Sequence, residues 1–144
     1  MANVVPNAFK GELLSGTHNF ASGGDSFKLA LYTANPYTTS STVYSSGAGN
    51  EVSGSAAGYS TGGSALTSQA VASSTATASV DFANLTFSTA TFTAAFGAIY
   101  NDDKSDKLVV ILDFGGTKTA TNGDFTIAFP DPSTPSNAII SLTS

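Results

Sequence analysis

The chain has 144 residues, only 10 % of them charged, and carries a net charge of −5. That length makes one domain able to bury a core without staples, read here as a single unit over 1–144. The absence of Cys excludes disulfides and thiol chemistry, the single His18 excludes a multi-His metal centre, and a pI near 4.3 argues against a nucleic-acid surface.

Val5, Phe9 and Leu13 recur every four residues, and Leu14 borders their stripe at one end. This spacing predicts a short amphipathic helix in an N-terminal arm over 1–16, opened by Pro6 and stopped by Gly16. Such a helix is marginal alone and needs a sheet or a partner to pack on. Over 25–33 the period changes to two: Phe27, Leu29 and Leu31 oppose Lys28, Ala30 and Tyr32, a half-buried strand. The stretch 34–64 is rich in Ser, Thr, Gly and Ala and reads as a long loop or two short strands.

Alternation returns over 75–82, with Ala76, Ala78, Val80 and Phe82 inward, and Leu85 and Phe87 form a separate short piece. Residues 91–100 read as a central strand with two apolar faces, and 101–106 as a turn. Residues 107–114 are the most apolar strand, broken by Gly115-Gly116. Asn122-Gly123 between alternating runs predicts a two-residue hairpin turn. Pro130, Pro132 and Pro135 mark a loop, and 138–142 close as a last strand. The fold class is all-β, an antiparallel β-sandwich with one N-terminal helix, its β domain over 25–144.

The chemistry-bearing residues give few sites. Asp102, Asp103 and Asp106 could offer oxygens to Ca²⁺ but lack the spacing of a calcium loop, so a solvated turn is the expectation and no metal is assigned. His18, just past the helix, reads as a surface residue, with no nucleophile elbow to serve. No catalytic residue and no cofactor is assigned, and the chain is read as a non-enzyme. No apolar run approaches membrane-spanning length and no secretory leader is visible, so synthesis in the cytoplasm and no membrane partner are expected. The Gly-bracketed segments 49–54 and 58–63 predict a loop of special backbone angles anchored by Tyr59. The expected protein contacts are Val5, Phe9, Leu13, Glu51 and Tyr59, with Tyr37, Tyr44 and Tyr59 as loop aromatics for a glycan in the alternative reading.

Three stretches carry a family resemblance: NAFKGELLSG followed by DSFKLALYT; EVSGSAAGYSTGGSALTS at 51–68; and VDFANLTFSTATFTAAFGAIYNDDKSDKLVVILDFGG at 80–116, running on into the Asn-Gly segment and Phe129-Pro130. In that order they resemble the small structural proteins of tailed bacteriophages, the group that includes capsid cement or decoration proteins. The region 47–57 departs from that pattern in its Ser and Ala content. The resemblance implies a jelly-roll-like domain that trimerises and binds the major capsid protein on the outside of the virion. It implies no catalytic residue. The alternative it leaves open is a tail tip or fibre part that binds a receptor or glycan.

Overall fold

A computed structural model describes residues 3–130 and 138–144. Helix α1 spans Asn7–Leu14. Pro6 precedes it, and Gly16, at φ +73°, ends it as the sequence predicts. Val5 lies just outside the helix, beside the bridge that joins Val4 to Ile111. The strands are β1 (Phe27–Tyr32), β2 (Ser64–Ala65), β3 (Ala70–Ser74), β4 (Thr77–Asp81), β5 (Leu85–Asn101), β6 (Lys107–Ile127) and β7 (Ile140–Thr143). They form two antiparallel sheets, ordered β2-β1-β5-β6 and β3-β4-β7. This is the all-β, two-sheet architecture expected from the alternation. Seven strands in these orders do not by themselves make the jelly roll that the resemblance implies.

Around β1 and the adjoining ends of β5 and β6 the large sheet is buried on both faces. Phe27, Leu29, Leu31, Ile99 and Val110 point into the main core, where Phe82 meets Phe27 at a ring separation of 5.7 Å. Ala30, Tyr32, Ala98, Tyr100 and Leu108 form a second core on the opposite face. Strand β1 is therefore not half-buried as its alternation suggests, because Tyr37 and Tyr44 from the 33–63 loop cover its second face. Each fully buried large side chain contributes about 1.5–3 kcal/mol of transfer free energy.

Several boundaries differ from the sequence reading, most of them because residues with positive φ bulge a strand as readily as they turn it. Thr75 and Ala76 are the turn of the β3–β4 hairpin, so the expected strand over 75–82 is shorter and Ala76 is exposed. Leu85 and Phe87 belong to β5, which continues through a bulge where Thr89 takes φ +52°. Gly115-Gly116 do not break β6. Lys118 pairs with Ala94 and Asp113 with Phe96, so four residues bulge opposite Ala95. Asn122-Gly123 is no hairpin turn either. Asn122, at φ +49°, bulges within β6, and Gly123 pairs with Ala90. The true β5–β6 turn is the 3₁₀ segment Asp102–Lys104 followed by Ser105 and Asp106, both with positive φ, within the predicted turn. The last strand starts two residues later than expected and ends one residue later, and Pro132 and Pro135 lie outside the described residues.

Candidate functional site

Glu51 is the hub of the Gly-bracketed loop. It bridges to Tyr32 at the end of β1, which carries its carboxylate over the second core. Oε1 accepts from the Tyr59 hydroxyl at 2.8 Å and from Gly62 N–H at 2.7 Å. Oε2 accepts from the Tyr44 hydroxyl at 2.9 Å. The Tyr59 oxygen in turn accepts from Leu31 N–H at 3.0 Å, and the Tyr100 hydroxyl donates to the Gly62 carbonyl at 2.7 Å. Tyr44 stacks on Tyr100 with centroids 4.4 Å apart, and Tyr32 and Tyr37 share a hydroxyl–hydroxyl bond of 2.9 Å. All five tyrosines of the chain thus meet around one loop.

The glycines make this loop possible. Gly63, at φ +76°, packs so tightly on β1 that a Cβ there would collide with the Leu29 carbonyl oxygen. At Gly58 a Cβ would lie 2.7 Å from the Ser88 carbonyl oxygen. Burial pushes the Tyr44 and Tyr59 hydroxyls well above the usual range, and the Glu51 carboxylate adds to the rise in both. Tyr100 is raised by burial and by the charges of Asp106 and Asp102. Neutral phenols around one carboxylate hold a loop down as fixed hydrogen-bond donors.

A second polar cluster joins the helix to the sheet. His18 is buried between Phe9 and Phe20, not exposed as its position after the helix suggested. Its Nε2 lies 3.0 Å from Glu12 Oε2, and its Nδ1 2.9 Å from Asn101 Nδ2. Asn101 Nδ2 also donates to Asp25 Oδ2 at 2.8 Å, while its Oδ1 accepts from Asp103 N–H at 3.2 Å. Both Asn101 amide hydrogens are therefore used, so His18 Nδ1 is an acceptor and Nε2 donates to Glu12. Burial acts to raise the Glu12 pKa, but Lys107 and His18 outweigh it and hold the carboxyl below its usual range. Burial likewise opposes the lowered pKa of Asp25, which Asn101, the Asn19 N–H and Lys104 produce.

The sequence-expected contact residues are divided between core and surface. Phe9 and Tyr59 are buried in the main core, Val5 and Leu13 are half-buried at its margin, and Glu51 is half-buried in the tyrosine cluster. Tyr37 and Tyr59 turn inward as well, so the three loop tyrosines form no exposed aromatic platform. In the acidic turn, Asp102 pairs with Lys28 at 2.9 Å and Asp103 Oδ2 accepts from Ser26 N–H at 2.6 Å. No group of three or more His, Asp or Glu converges on a metal position among the described residues. Sequence reading missed Asn101, which it placed in a turn, and Asp25, which it placed at the start of the first strand. A signal for His18 existed: it shares its parity with Phe20, so an extended segment that buries one buries both. Comparison with protein-family models, curated proteins and solved structures found no match for this chain.

Proposed function

We propose that this chain is a non-enzymatic virion structural protein that decorates the outer surface of a tailed-phage capsid and binds the major capsid protein lattice, as a homotrimer made in the host cytoplasm. One observation carries the reading. The side chains with reactive potential (His18, Glu12, Glu51 and the tyrosines) are bonded to one another and pin loops and helix to the sheet. A protein that works by shape needs such internal bracing, and many weak copies on a lattice add avidity. The ordered resemblance to cement proteins and the acidic charge, which suits a position away from packaged DNA, lend further support. The test is the composition of purified particles by quantitative mass spectrometry. The expected result is this chain in proportion to the major capsid protein. Its absence from particles, or its presence only in the few copies of a tail part, overturns the reading.

A further inference from the structure

Among the described residues, three of the four most exposed large hydrophobics gather in one place: Leu14 (88 %), Leu142 (57 %) and Val71 (56 %) border adjoining grooves that share Leu13 and Ile140. The larger groove, about 480 Å³, runs between α1 and β7. Its other wall is formed by Ala138 and Ile139, which lead into β7, and by three successive residues of the strand, Ile140, Ser141 and Leu142. Neighbours on a strand point to opposite faces, so a wall that uses all of them is the strand's edge. β7 pairs with β4 on one side and, among the described residues, with no strand on the other. An open edge is a row of unmade backbone hydrogen bonds, and an extended chain is what satisfies it.

Charge narrows the occupant. Lys10 lines the same groove, and its Nζ reaches only Asn7 Oδ1, at 3.3 Å. Lys28, Lys104 and Lys107 are all in ion pairs, and among the described residues no acidic side chain lines this groove. A two-fold pairing of two β7 edges would bring a second Lys10 and a second charge of −5 to the contact. That disfavours a second copy.

We propose that the groove between α1 and β7 docks an extended apolar segment of another protein, which adds as a strand to β7 and sets a carboxylate against Lys10. The inference stands whether or not the chain belongs to a virion. The probe is a fluorescein-labelled, end-blocked heptapeptide of alternating Val and Thr with one central Asp, titrated with the full chain by fluorescence anisotropy. Saturable binding is expected. Leu14→Asp and Lys10→Glu, both at exposed positions, should each weaken it about tenfold or more. A peptide with Lys in place of Asp should regain affinity for Lys10→Glu, and Val43→Asp, outside the groove, should change nothing. Absence of saturable binding, or binding that neither groove variant alters, overturns the proposal. A dimer seen by sedimentation that Leu14→Asp dissolves also overturns it and gives the groove to a second copy.

Discussion

Glu51 satisfies three donors with two oxygens. Glu51→Ala leaves two tyrosine hydroxyls and a backbone N–H without their acceptor and should destabilise the fold by about 3 kcal/mol in urea unfolding. Glu51→Gln keeps one acceptor oxygen and should cost about half as much. The Glu12–His18–Asn101–Asp25 chain sets the response to acid. Glu12 and Asp25 have folded pKa values below their ordinary 4.5 and 3.8. Their stabilisation is therefore complete above those ordinary values and is lost as pH falls through the lower folded ones. Urea midpoints should fall steeply below about pH 4.5, and Lys107→Met should flatten that fall, since Lys107 is the chief partner lowering Glu12. Little of this network is legible in the sequence. Asn101 stands 83 residues from His18, and only the fold brings them together.

At the scale of elements, alternation made the strands legible, while the same local signals hid how they continue. A positive φ at Gly115, Gly116 or Asn122 is needed for a turn and for a bulge alike. What decides is the neighbouring strand. β5 runs unbroken beside 107–127, so the chain bulges and carries on instead of folding back. The distinction can be measured. A Cβ at Gly115 meets nothing within 4 Å, so Gly115→Ala should cost only the backbone strain, about 1 kcal/mol. Gly63→Ala adds a collision with the Leu29 backbone and should cost at least twice as much, read as a loss of thermal stability. Asn122→Gly should be tolerated with little change, because Asn122 is used for its backbone angle.

At the scale of the molecule, the five tyrosines tie the long 33–63 loop to the face of the large sheet, and this makes the fold sensitive to alkali. Burial, first, raises Tyr32, Tyr44, Tyr59 and Tyr100 above their ordinary value of 10.0. A raised pKa contributes stability that is complete below pH 10 and drains away as pH climbs beyond it. Tyrosinate absorbance should therefore rise late and in one cooperative step that coincides with loss of circular dichroism, not as independent titrations. Separate, gradual titration of these hydroxyls would contradict the packed loop.

The short turn over 102–106 has a consequence for synthesis. It joins partners close in the chain, whereas Phe27 must wait for Asn101. A nascent chain leaving the ribosome therefore holds its first strand with only the two-residue β2 to pair with until residue 101 has emerged. The β5–β6 hairpin closed by that turn needs the least loop closure of the large sheet's long pairings and is expected to form first, which φ-values near 1 at Ile99 and Val110 would verify.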